Sequence, residues 1–397
     1  MKSSLLRHEI ILRIGALLMI LALVFSFSAC GSNEQGSADE DQAAQTEENT
    51  ETAEETKSES KGPAFEPKTV QKQKSQINVL TGELGSKKNK IKTRVVGIVV
   101  ENHPQSRPQW GMDDPKYSPD IILEGEVEGG FTRMFWMWAD YNALPDYVGP
   151  VRSARPPFIL FSEFFDSYFV HWGRSHTEAG YTGASYYFKR DNIAHLDGMY
   201  YERTAPFDRK QGTGRAIEHT AIVYGDQLPK TLESKFRTKL TMKKCSKLNF
   251  YRTKKARGKK KSCYGLTLKF SDRTQTTEWK YNEKDKKYYS SSFQTNVARD
   301  NLLVLFDNTS YQTKPGYTTY CNYEVGGGKG YYASCGSVQK IEWKVKKGKL
   351  YLYEKGKVKA APGAKAKKSQ LSMNPGKTWI GWASANHNGK CTITPAS

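Results

Sequence analysis

The stretch IILEGEVEGGFTRMFWMW, residues 121–138, contains two β-type runs on either side of the pair Gly129-Gly130. Isoleucine, leucine, phenylalanine and tryptophan suit a pleated, half-buried surface, and adjacent glycines accept the positive φ of a tight hairpin turn. The segment predicts a hairpin with those two glycines as its turn, so that Glu128 faces Phe131, Glu126 faces Arg133 and Glu124 faces Phe135. Side chains alternate along a strand, which puts all three glutamates on one face. Such a face is either a solvated strand surface or a site lined with carboxylates.

Upstream, RVVGIVVENHP (94–104) reads as a buried strand stopped by Asn102, His103 and Pro104. Downstream, GPVRSARP (149–156) places Arg152 and Arg155 between prolines. Proline fixes its own φ and restricts the residue before it, so both guanidiniums are expected to be held. A held guanidinium suits a carboxylate or phosphate. Here it serves either a ligand or the hairpin's own glutamates. PPFILFSEFFDS (156–167) then predicts a helix with a core-facing stripe, and SYFVHWGRS (167–175) a strand that ends in a turn near His171. His171, His176 and Glu178 lack a usual ligand spacing, so no metal is expected.

The N-terminus sets the compartment. Lys2, Arg7 and Arg13 precede an apolar run that closes on FSAC at Cys30, the pattern of a secretory signal (1–29) with a lipoprotein-type cleavage site. The stretch is also nearly long enough to be kept as a membrane span. Either way the remainder is placed outside the cytoplasm. Residues 30–75 are rich in Glu, Gln, Ser and Thr, bury too little apolar surface to fold, and are expected to form an acidic tether. The rest divides into an N-terminal domain (76–232) and a basic C-terminal domain (233–397).

Lys235 to Lys261 contains thirteen lysines and arginines and no acid, and a second lysine-rich stretch runs from Lys340 to Lys368. With no nucleic-acid-binding motif in an exported chain, either these lysines form a solvated face without a specific ligand or their expected partners are anionic envelope polymers and lipid head groups, and nucleic acid is not expected. Cys245 with Cys263 and Cys321 with Cys335 are near-neighbour disulfide candidates, leaving Cys391 over. NLLVLFD, KGYYASCGSVQKIEWKV and KLYLYEKGKV predict short antiparallel strands, and GGGKGYY (326–332) a flexible turn. The fold class expected is α+β: a mixed α/β domain followed by a mostly antiparallel β domain.

NHPQSRPQ, ILEGEVEGGFTR, GPVRSARP, the VHWG turn and NPGKTWI together resemble the YerB-type lipoproteins of Gram-positive bacteria, from about Arg94 to Trp382. Two positions depart from that pattern. Glu101 stands where the family has the first of two asparagines, and IEHT around His219 replaces its APHN. The resemblance implies the location, a two-part fold and a set of candidates, but no reaction. Those candidates are Glu124, Glu128 and His171 for catalysis, and Asn102, Arg107, Arg133, Arg152, Arg155 and Ser175 for ligand binding, with Cys30 lipidated and no cofactor. The function expected is a membrane-anchored extracellular lipoprotein that binds peptidoglycan, an anionic wall polymer or a wall-synthesis protein. The alternative is a glycan-cleaving enzyme that uses Glu124 and Glu128 beside an arginine clamp. Nearby arginines keep carboxylates ionised, which disfavours a general acid and hence the enzyme.

Overall fold

The computed structural model describes residues 77–84, 93–201, 204–241, 244–252, 254, 262–313, 319–355 and 369–396, all within one compact unit. The expected signal segment, Cys30 and the expected tether lie outside these residues, as does much of each lysine-rich stretch. No helix among the described residues is long and apolar enough to cross a membrane.

The chain is mostly β with few helices. The strand order of the main sheet is β19-β18-β17-β14-β21-β2-β3-β1-β5-β6. Its N-terminal members are β1 (Val96–Glu101), β2 (Ile121–Glu126), β3 (Thr132–Trp138), β5 (Tyr168–His171) and β6 (His195–Asp197). The others are β14 (Asn301–Asp307), β17 (Gly327–Ser334), β18 (Ser337–Lys346), β19 (Lys349–Glu354) and β21 (Thr378–Ser384). The two halves of the chain meet where β2 and β21 pair in parallel, Ile122 opposite Trp379. A second, antiparallel sheet contains β10 (Gly265–Lys269), β11 (Thr276–Asn282), β12 (Lys287–Ser290), β13 (Val297–Arg299) and β22 (Lys390–Thr394). Three small ribbons complete the β structure. One joins β4 (Tyr147–Val148), β7 (Phe207–Arg209) and β8 (Ala221–Tyr224); the others pair β9 (Asn249–Phe250) with β20 (Ser372–Met373), and β15 (Thr309–Thr313) with β16 (Thr319–Tyr323).

The central strands of the main sheet, β1, β2, β3, β14 and β21, are buried on both faces, which is why they read as nearly continuous apolar runs. Val99, Leu123, Phe135 and Trp382 pack in one core with Phe158 and Phe161 of α1 (Pro156–Glu163) and Phe188 of α2 (Ala184–Asp191). Val100, Ile122, Trp136 and Trp379 pack in the other with Leu266 and Trp279 of the second sheet and Leu232 of α3 (Leu228–Lys235). Pro156 and Pro157 open α1, where the missing N–H groups cost nothing.

Three expectations need correction. The hairpin of β2 and β3 pairs Glu124 with Met134 and Glu126 with Thr132, because its loop holds three residues, Glu128 to Gly130. Gly129 and Gly130 do take positive φ, 71° and 74°, but Glu128 joins them in the loop and leaves the strand face. Gly327 to Tyr332 of GGGKGYY lie in β17 instead of a turn. Gly328 and Gly330 are required by close approach, since a Cβ on Gly328 would meet the Phe306 carbonyl at 2.0 Å and one on Gly330 the Val304 carbonyl at 2.2 Å. The expected disulfides are not formed: Cys245, Cys263, Cys321, Cys335 and Cys391 are all free.

Candidate functional site

The predicted site residues separate into distinct groups. Glu124 is fully buried in the middle of the sheet. Its Oε1 accepts from Asn102 Nδ2 (3.0 Å), Thr132 Oγ1 (2.7 Å) and Thr277 Oγ1 (2.9 Å), and its Oε2 from Trp379 Nε1 (3.0 Å). Asn102 Oδ1 in turn accepts from Arg107 Nε (3.1 Å), and Arg107 Nη1 donates to the Ser292 carbonyl (2.7 Å). Glu124, Asn102 and Arg107 thus tie the first half of the chain to the second. Burial pushes the Glu124 carboxyl above its ordinary value, against the pull of those donors.

Glu128 sits apart from Glu124 and takes both inward-facing arginines. Arg155 grips it with two prongs, Nε to Oε2 at 2.9 Å and Nη2 to Oε1, while Arg133 Nη2 reaches Oε1 at 2.9 Å. Arg133 and Arg155 are also fastened to the Ser153 and Ala154 carbonyls. Burial alone would raise the Glu128 carboxyl, but the charges of Arg133 and Arg155 hold it well below the usual carboxylate range.

His171 is fully buried against Phe188. Its Nδ1 donates to the Gly173 carbonyl (2.7 Å) and its Nε2 accepts from His195 Nδ1 (3.0 Å), an arrangement that suits the neutral ring. Burial lowers its pKa to about 4. Ser175 Oγ accepts from Tyr181 Oη (2.8 Å) and from the Ala184 N–H (3.0 Å) at the start of α2.

Arg152 turns the other way, into a cleft of about 570 Å³. β1, β5 and β6 run parallel, and the cleft lies at their carboxyl ends, where open α/β sheets commonly place ligands. Arg152 Nε meets Glu101 Oε1 (2.9 Å) at the end of β1, and its Nη1 donates to the Glu218 carbonyl (3.1 Å). The second oxygen of Glu101 faces His219 Nδ1 at 2.8 Å, and His219 stacks on His103. Trp172 and Arg174 follow β5, and Asp197 ends β6. Arg174 Nη1 is anchored on Asp197 Oδ2 (2.9 Å) and its Nη2 donates to Tyr200 Oη (2.9 Å). Arg209 lies over the Trp172 ring, 4.7 Å from its centroid. Met199, Tyr200 and Ile217 are exposed on the rim, and Glu218 adds an exposed carboxylate. Three guanidiniums and two aromatic rings therefore surround one opening.

The arginines of GPVRSARP thus have separate surroundings, Arg155 inside and Arg152 in the cleft. Arg174, Tyr200 and Arg209 were not among the residues expected from the sequence. The one local signal for them is a strand followed by Trp-Gly-Arg, VHWGR.

Two family models match the chain. Residues 80–239 match the N-terminal domain and 266–380 the C-terminal domain of the "Protein of unknown function (DUF3048)" family. The "Putative lipoprotein YerB" of Bacillus subtilis (strain 168) is 29% identical over 327 residues, which cover 79% of this chain and 87% of the relative. The crystal structure of YerB from Bacillus subtilis superposes with a TM-score of 0.62 at 25% identity, covering 79% of this chain and 98% of the crystallised one. In sequence this chain belongs to the DUF3048 family, and in sequence and fold it is similar to Bacillus YerB.

Proposed function

We propose that this protein is a membrane-anchored extracellular lipoprotein whose cleft binds an anionic ligand of the cell envelope, peptidoglycan or an anionic wall polymer. The observation that carries the reading is the convergence of Arg152, Arg174 and Arg209 with Trp172 and Tyr200 at the carboxyl ends of parallel strands. Fixed guanidiniums bind carboxylate or phosphate with directional hydrogen bonds, and a cleft of this size lies within the roughly 300–1,000 Å³ range of small-molecule sites. Lipid attachment through Cys30 would keep the cleft within reach of the wall.

Binding fits the two glutamates better than glycan cleavage does. A general acid must hold a proton near neutral pH. Glu128 is kept ionised by two arginines, and Glu124 is enclosed by four donors away from the cleft. Incubating the full chain with purified wall sacculi tests the proposal. Co-sedimentation without release of reducing ends is expected; release of reducing ends that stops in a Glu124→Gln or Glu128→Gln variant shown by circular dichroism to be folded would establish the enzyme.

A further inference from the structure

Tyr200 is 72% exposed, yet its hydroxyl is fixed. Arg174 donates to it, and Arg174 is itself held by Asp197, which is nearly buried and also accepts the Gly173 and Met199 N–H groups (2.7 and 3.1 Å). An exposed tyrosine ordinarily rotates freely, because nothing repays the entropy of holding it. Here a chain of charge-assisted bonds orients a ring beside the cleft. Arg152 is fixed in the same manner by Glu101, whose other oxygen faces His219. Its Nε and Nη1 are engaged, which leaves Nη2 without a hydrogen bond to any described residue.

Resting on the proposed binding function, we infer that the ligand of this cleft is an acidic sugar: a pyranose whose apolar face lies on the Tyr200 ring and whose carboxylate or phosphate is held by Arg152. A pyranose presents C–H bonds on one face and hydroxyls around its edge. Tyrosine offers the matching apolar body with a polar tip. The cleft lining combines the same two chemistries: Met199 and Ile217 are apolar, and Ser153, His176 and Glu218 can exchange hydrogen bonds with hydroxyls. An acyl chain would need a continuous apolar trough, and a polyphosphate without rings would leave Tyr200 unused.

Calorimetric titration of the full chain in nanodiscs tests this with three probes. These are the carboxylate-bearing disaccharide N-acetylglucosaminyl-N-acetylmuramic acid, neutral di-N-acetylchitobiose, and ring-free oligo(glycerol phosphate). The acidic disaccharide is expected to bind at least about tenfold more tightly than chitobiose, a difference of about 1.4 kcal/mol. Tyr200→Ala and Arg152→Lys should each cost about tenfold or more, while Tyr200→Phe, which keeps the ring, retains most of the affinity. Tyr200 is exposed, so its variants test the ring without a loss of folding. Binding of oligo(glycerol phosphate) that ignores Tyr200→Ala would overturn the acidic-sugar inference and leave the anion-binding function standing. Failure of all three probes, with sacculi still bound, would have the same consequence. Failure on sacculi as well would overturn both.

Discussion

Replacing Glu128 by Gln removes one carboxylate from between two guanidiniums. Arg133 is 7% exposed and Arg155 9%, and the Glu128 side chain only 20%, so solvent can do little to replace the lost charge. Arg155 loses a two-pronged partner and Arg133 its one ion pair with Glu128. Removing one member of a buried ion pair costs about 3–5 kcal/mol, because the other is left uncompensated. Glutamine keeps one acceptor oxygen, which places the expected loss at the lower end, about 3 kcal/mol. The pH dependence follows from the same contacts. Unfolded Glu128 takes up a proton near its ordinary value of 4.5, whereas the folded carboxyl resists until far lower. Its stabilisation is complete above about pH 4.5 and is lost as pH falls below that value; Glu128→Gln should lack this slope. Urea denaturation followed by tryptophan fluorescence at pH 7 and pH 3.5 measures both effects. A variant within about 1 kcal/mol of wild type at pH 7, with an unchanged acid slope, would refute the reasoning.

His171 titrates in a separate window. Burial lowers its pKa from 6.5 to about 4, so the unfolded chain binds the proton first, and stability declines as pH falls between those values, by about 3 kcal/mol in total. In His171→Asn, whose amide can still donate to the Gly173 carbonyl, denaturation curves at pH 7 and pH 4.5 should differ by less than in wild type; an equal difference would show that His171 is not the source. Burial raises all five thiols, Cys245 and Cys391 to about 12 and Cys263 to about 11, and Cys245, Cys263, Cys321 and Cys335 are buried, so a thiol reagent at pH 8 should reach those four only after unfolding. Rapid native reaction of any of the four, or missing thiols under non-reducing denaturation, would contradict the free, buried state. Cys30→Ala should abolish incorporation of a labelled fatty acid in cells; undiminished labelling would remove lipidation at that residue.

The strands of the first half were legible because their physics is local. RVVGIVVENHP contains β1, PPFILFSE forms α1 and YFVH forms β5, each bounded by proline, asparagine or glycine near the expected place. The hairpin was recognised but its register was not, since nothing local decides whether Glu128 belongs to the strand or the loop. Its pairing with Arg133 and Arg155 is a tertiary contact, and it accompanies the loop placement. The glycines of β17 misled for a related reason: they answer to neighbouring backbone carbonyls, which belong to a strand some twenty residues away. Glu101 read as a departure from a family asparagine, whereas in the fold it positions Arg152 and meets His219. The cleft was hidden because Arg152, Arg174, Tyr200 and Arg209 come from separate strand ends and connections: the parallel pairing of β1, β5 and β6 places some of them, and Arg209 arrives from β7 of a separate ribbon.

Two basic features could bind an anionic wall, the fixed guanidinium of the cleft and the lysine-rich segment. Exposed lysines act as screened point charges, whereas a positioned arginine contributes geometry that lysine cannot reproduce. The decisive measurement is the dissociation constant of the full chain from purified sacculi at about 0.15 M salt, compared between Arg152→Lys and a variant with the lysines between Lys243 and Lys261 changed to glutamine. A cleft ligand predicts about tenfold weaker binding for Arg152→Lys at unchanged net charge and melting temperature, with the lysine variant altering mainly the salt dependence. Unchanged affinity in Arg152→Lys, together with lost binding in the lysine variant, would contradict the cleft and assign wall binding to the lysines.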